Sequence, residues 1–180
     1  MRMMRAVSIA VLAAVLGASA AGCTVRPLYS DAALTPGGET TNAALSSVFI
    51  KPSKTRYGQE VRNQLIFLFN GGQAQTSTPT YELELGVVAQ REISTISQTT
   101  SVSEPTAATV TVYSNYTLFD AATQKPIATG SRQIASQYDI PRQEFAAYRA
   151  QRDAENRAAR ELAQLLSLAV AQDLARHGGR

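Results

Sequence analysis

Nucleophilic and metal chemistry have few residues to draw on. The chain holds one cysteine, Cys23, and one histidine, His177. A single Cys excludes an internal disulfide framework, and a single His removes most metal sites and most Ser-His or Cys-His arrangements. His177 stands just before Gly178-Gly179-Arg180, where it reads as a polar or cationic group favoured by the negative end of a helix. Glu82 and Glu84 lie two apart and share one strand face; a solvated strand edge accounts for them better than an acid–base pair. Gly37-Gly38 and Gly71-Gly72 lack the Lys-Ser/Thr that completes a phosphate loop. The expectation is no catalytic residue, no metal site and no cofactor: the chain reads as something other than an enzyme.

Cys23 is the residue whose position implies chemistry. Arg2 and Arg5 precede an apolar run over residues 6–21, AVSIAVLAAVLGASAA. That run falls short of the roughly 20 residues that span a bilayer, and charged start, short apolar core and small-residue end are the parts of a secretory signal. It closes on Ala20-Ala21-Gly22-Cys23, the pattern of a bacterial lipobox. There, small residues admit the peptidase and the thiol receives diacylglycerol; Ala20 stands where Leu is usual. The alternative is a plain secretory signal with Cys23 placed by chance. Residues 1–22 are thus read as a lipoprotein signal peptide and Cys23 as the lipidation site. Each buried acyl methylene adds roughly 0.8 kcal/mol of anchoring. Thr24 follows in place of an inner-membrane-retaining Asp, so the expected location is the outer membrane, on its periplasmic face. Lys and Arg total 17 against 14 Asp and Glu. Without residues 1–22 the balance falls to 15 against 14, too even to suggest nucleic acid.

Behind the anchor, residues 23–44 carry Pro27, Pro36, Gly37 and Gly38 without periodicity and read as a tether. Residues 45–180 read as one domain. Residues 45–51, LSSVFIK, are β-branched and aromatic and stop at Pro52, which predicts a strand. Over residues 55–70, Tyr57, Val61, Leu65 and Leu68 recur on one helical face, and Asn70-Gly71-Gly72 ends the helix. Residues 80–92 alternate Tyr81, Leu83, Leu85 and Val87 against Glu82 and Glu84. Residues 109–120 alternate Val110, Val112, Tyr116 and Leu118 against Thr111, Tyr113, Asn115 and Thr117. Between them a Ser/Thr-rich stretch, residues 93–108, predicts that both strands extend into a long hairpin with its tip near Ser101–Pro105. Residues 126–138 form a fourth strand. A second helix runs over 141–176, with Ala158, Leu162, Leu165, Ala169 and Leu174 as its buried stripe. The order β-α-β-β-β-α gives an α+β fold: a four-stranded, mostly antiparallel sheet with two helices packed on one face.

Two surfaces remain for recognition. The hairpin stretch is uncharged apart from Glu104, and Ser101, Val102, Ser103, Glu104 and Pro105 at its tip suit the polar lining of a β-barrel; a solvent loop is the alternative. Arg91, Lys125 and Arg132 lie on or beside the strands and suit the phosphates of an acidic lipid; ordinary surface cations are the alternative.

The residues then show a family resemblance. Gly22-Cys23-Thr24-Val25-Arg26-Pro27-Leu28-Tyr29 resembles the lipobox and "CxxxPLY" start of the lipopolysaccharide-assembly lipoprotein LptE (RlpB) family in its alphaproteobacterial form. Arg56-Tyr57-Gly58-Gln59-Glu60-Val61-Arg62-Asn63-Gln64-Leu65 is similar to that group's "RxGQxxRNxL". Ala147-Tyr148 through Asp153-Ala154 and Arg157-Ala158 to Leu162-Ala163 is similar to its last helix. The resemblance implies a non-enzymatic lipoprotein held in the inner leaflet of the outer membrane by acylated Cys23. It implies as partners the LptD β-barrel, which such proteins plug and help assemble, and lipopolysaccharide, whose delivery to the outer leaflet they assist. Another reading is an auxiliary lipoprotein of an ABC-type phospholipid transport system, which would associate with substrate-binding subunits and not a barrel. A lipid-anchored hydrolase would need a catalytic constellation that the sequence lacks.

Overall fold

The computed structural model describes residues 40–99 and 102–178; the signal segment, Cys23 and Ser101 lie outside them. The first element is α1, Thr41–Ser46. The Thr40 hydroxyl caps it, accepting from the Ala43 amide at 3.2 Å, which satisfies one of the donors that a helix start leaves open. β1, Val48–Ile50, follows, and Pro52 ends it by removing an amide donor. α2, Arg56–Asn70, starts on the Thr55 hydroxyl, which accepts from the Gly58 amide, and ends at Gly71 with φ 59°. That left-handed conformation is open to glycine at little cost. β2 is Tyr81–Thr99, β3 Val102–Asp120 and β4 Pro126–Asp139. The chain closes with α3, Glu144–Gly178.

The sheet order is β1-β2-β3-β4. β1 runs parallel to β2, pairing Val48 with Tyr81 and Ile50 with Leu83; the other two pairs are antiparallel. A parallel pair needs a crossover, and α2 supplies it. Leu83, Val87, Ala108, Val110, Val112, Tyr116 and Leu118 are all buried. Every second residue of β2 and β3 therefore faces α2 and α3, which lie on one side of the sheet. Ala154, Ala158, Ala159, Ala163, Ala169 and Ala171 are buried along α3, and their small side chains let the helix sit close to the strands. Leu162, Leu166, Val170 and Leu174 fill the space between, each fully buried aliphatic contributing roughly 1.5–3 kcal/mol.

The α+β architecture, the alternation in β2 and β3, the fourth strand and the long hairpin agree with the sequence reading, and three details differ. A third helix, α1, occupies residues 41–46, where the sequence was read as tether and strand. Thr41, Ala44 and Leu45 are buried there, so burial against the other helices stabilises a segment too short to hold itself. The first strand is accordingly Val48–Ile50, not 45–51. Leu68 and Leu165 are 38% and 37% exposed, and Phe69 and Leu166 are buried instead. α3 touches sheet, α2 and α1, so its buried stripe is broad and shifts along the helix, where a fixed spacing picks the wrong leucine.

Candidate docking surfaces

Beyond the layered body the hairpin continues alone. β4 pairs with β3 only as far as Ala107↔Asp139, whereas β2 and β3 remain paired out to Thr99↔Val102. Residues 102–106 of β3, about 17 Å of strand, thus form a two-stranded ribbon that no other described strand joins. Val102, Ser103, Glu104 and Pro105 lie in it. β1 pairs with β2 at three positions only, so from Glu84 to Thr99 the outer edge of β2 has no partner strand among the described residues.

The sheet face away from the helices is a second surface. Thr109, Thr111, Tyr113, Asn115 and Thr117 of β3 lie on it between Val88 and Gln90 of β2 and Ser131 and Gln133 of β4. No described helix covers this face. Its hydroxyls and amides can donate or accept and carry no charge. Charge gathers at its ends: at one the Lys51 ammonium lies 3.3 Å from Glu82, 3.6 Å from Glu84 and 5.1 Å from the Phe119 ring centre, and at the other Glu92 stands beside Thr109. Glu82 and Glu84 share this one cation, which offsets one of their two charges.

The three cations singled out in the sequence are not brought together. Arg91 pairs with Val110, on the helix side of β2. Lys125 sits in the β3–β4 turn beside Asp120, ten strand positions further along β3, about 33 Å away. That turn is fixed by the Asp120 carboxylate, which accepts from the Thr123 hydroxyl and amide at 2.7 Å each; these bonds hold its carboxyl below the usual range. Arg132 is also on the helix side, exposed, and donates to the Ser131 carbonyl at 2.7 Å.

Residues that carry the resemblance fasten the fold. Arg56 joins α2 to α3 through an ion pair with Glu155 and a 2.5 Å bond to Asn156. The Arg62 guanidinium donates to the Ile50 carbonyl at 3.0 Å, joining α2 to β1. Gly58 leaves room where a Cβ would lie 2.1 Å from the Ser53 hydroxyl and 2.7 Å from that of Thr55. Sequence spacing missed the deepest polar link: the Tyr116 hydroxyl donates to Asp173 at 2.7 Å, both residues being buried. Burial first, then the bond to Asp173, pushes the phenol up to about 12. Arg176 reaches the other oxygen of Asp173 at 2.5 Å, and the ring rests where a Cβ on Gly130 would come within 2.7 Å.

Comparison with known proteins gives these features a family. The model of the family LptE, lipopolysaccharide-assembly, matches residues 45–170. A solved protein of Caulobacter crescentus CB15, called a lipoprotein, is 26% identical with a TM-score of 0.62, covering 75% of this chain and 96% of its own. A minor lipoprotein of Acinetobacter baumannii (13% identity, TM-score 0.50, 71% of this chain and 90% of that one) has a similar fold. So does the rare lipoprotein B of Shewanella oneidensis (15%, 0.50, 72% and 97%). Among curated proteins none matches. The family match spans all seven elements from the end of α1 into α3, and the chain belongs to the LptE lipopolysaccharide-assembly family.

Proposed function

We propose that this protein is an outer-membrane lipoprotein that docks in and plugs an LptD-type β-barrel, assisting the barrel's assembly and the delivery of lipopolysaccharide to the outer leaflet. The family match over residues 45–170 carries this reading. Acylated Cys23 anchors the chain in the inner leaflet, and residues 24–39 allow the domain at most roughly 55 Å of reach. Confinement beside the partner raises the effective concentration for docking. The sheet face that no described helix covers, with Thr111, Tyr113, Asn115 and Gln133, offers a barrel wall uncharged donors and acceptors, and the ribbon ending at Thr99 and Val102 extends backbone edges that no described strand pairs. None of the steps requires catalysis.

The test is a photo-crosslinking amino acid at Tyr113, in the middle of the open face, with a second variant at Phe67 on the outside of α2. An adduct with a large barrel from Tyr113 and none from Phe67 is the expected outcome. Adducts with soluble periplasmic subunits from both positions would contradict it.

A further inference from the structure

The inward side of α3 runs on past the elements that cover it. Arg56, the first residue of α2, meets Glu155 and Asn156, and one turn later Glu60 meets Arg160 at 3.3 Å. The two helices therefore run in the same direction, and α2 begins alongside the fourth turn of α3. Residues 144–152 lie ahead of it. Phe145, Arg152, Ala159 and Leu166 follow one another at seven-residue spacing, so they share one side of the helix. Ala159 and Leu166 are buried on that side, whereas Phe145 is 74% exposed and its neighbour Tyr148 52%. Ahead of the start of α2 the burial stops, and the stripe changes there from small aliphatic residues to aromatic rings and guanidiniums.

A groove of about 440 Å³ lies along this stripe, lined by Arg56, Phe145, Tyr148, Arg149, Arg152, Asp153 and Asn156. Its carboxylates are already engaged: Asp153 pairs with Arg157, and Glu155 beside the groove pairs with Arg56. Arg149 and Arg152 have no carboxylate partner among the described residues, and Arg152 lies 5.2 Å from the Tyr148 ring centre. The groove thus offers two uncompensated guanidiniums beside two large exposed rings. Guanidiniums bind phosphate through paired N–H bonds, and rings with polar neighbours suit the boundary between headgroup and acyl chain. On β2, Arg91 and the 53% exposed Ile93 occupy the same side of the sheet at the same end of the domain, outside the lining of the groove.

We propose that this aromatic–arginine groove at the start of α3 binds the phosphorylated headgroup of a lipid, with Arg149 and Arg152 on phosphate and Phe145 and Tyr148 against the adjoining acyl region. It rests on the proposed role in lipopolysaccharide delivery and assigns the lipid contact to α3, not to the three strand-side cations. Charge separates this occupant from others: an acidic headgroup complements the two free guanidiniums, whereas the open sheet face carries Glu82, Glu84 and Glu92 and the ribbon Glu104, which would repel it.

The test titrates the purified full-length protein, in nonionic-detergent micelles, with lipid A and with dephosphorylated lipid A. Barrel recovery from outer membranes is measured in parallel. Arg149→Glu/Arg152→Glu should bind lipid A at least tenfold more weakly than wild type and recover the barrel equally well. Acidic side chains near a helix start are tolerated; should that variant not fold, Arg149→Gln/Arg152→Gln replaces it with the same expectation. Wild type should bind the dephosphorylated lipid as weakly as the variant binds lipid A. Unchanged affinity in the variant, or affinity indifferent to phosphate, overturns the proposal. So does lost barrel recovery with lipid affinity intact, which would make the groove a protein-docking surface. If wild type recovers no barrel, the delivery reading fails on its own, whatever the groove binds.

Discussion

Tyr116 and Tyr138 present one hydroxyl each to the interior, and removing the two should have opposite consequences. The Tyr116 hydroxyl donates to Asp173 at 2.7 Å; that of Tyr138 is buried with no partner among the described residues. In Tyr116→Phe the Asp173 carboxylate keeps only Arg176, a side chain 73% exposed. A hydrogen bond to a charged group is worth about 1.5–3 kcal/mol. A loss near 2 kcal/mol lowers the melting midpoint by roughly 4–8 °C in a domain of this size. Tyr138→Phe removes an unpaired buried hydroxyl and should leave stability unchanged or raise it slightly. Urea unfolding of both variants measures the difference, with equal m-values as the check that only stability moved. The pH dependence supplies a second reading. Tyr116 is raised from a tyrosine's ordinary 10 to about 12, so the folded state holds its proton more tightly than the unfolded one. The stabilisation is complete below pH 10 and fades as pH rises from 10 to 12. The stability gap between wild type and Tyr116→Phe should therefore close over that window. A gap below about 0.5 kcal/mol at pH 7, or one constant from pH 8 to 12, would refute the reasoning.

Other perturbations follow from the same contacts. Gly130→Ala places a Cβ 2.7 Å from the Tyr116 ring, and overpacking of that kind costs about 1–3 kcal/mol, read as a lower urea midpoint. Arg56→Ala frees α2 from Glu155 and Asn156; the partly buried link should cost about 1–2 kcal/mol, against less than about 0.5 for Arg160→Ala at its exposed pair with Glu60. Cys23→Ala should release a folded domain from the membrane, and fractionation that leaves it in the outer membrane without its partner contradicts the anchor. Deleting residues 101–105 trims the ribbon beyond the reach of β4; barrel recovery should fall while the melting midpoint stays within a few degrees, and a collapsed midpoint with recovery intact would reverse that reading.

How much of this the sequence revealed depends on whether one local pattern decides the outcome. β2 and β3 alternate because one sheet face is buried, so Leu83, Val87, Val110 and Leu118 declare themselves by a period of two. Gly71 likewise marks the end of α2 through a conformation it adopts readily. α1 has six residues and is held by burial of Ala44 and Leu45 against other helices, which no pattern within it encodes. The position of β1 beside β2 depends on α2 returning the chain across the sheet, a matter of packing rather than spacing. Candidate sites were harder for the same reason. Arg91, Lys125 and Arg132 are near one another in composition but are spread over different strands and ends. The Phe145–Arg152 stripe looks in sequence like any amphipathic helix. Only the alignment of Arg56 with Glu155 reveals that none of the described helices or strands lies over it.

The most direct test of the central claim is affinity recovery of the C-terminally tagged protein from detergent-solubilised outer membranes, with co-purifying chains identified by mass spectrometry. A large, heat-modifiable β-barrel in one-to-one ratio is the predicted result. Subunits of a phospholipid transporter in its place, or the tagged protein alone, would contradict it.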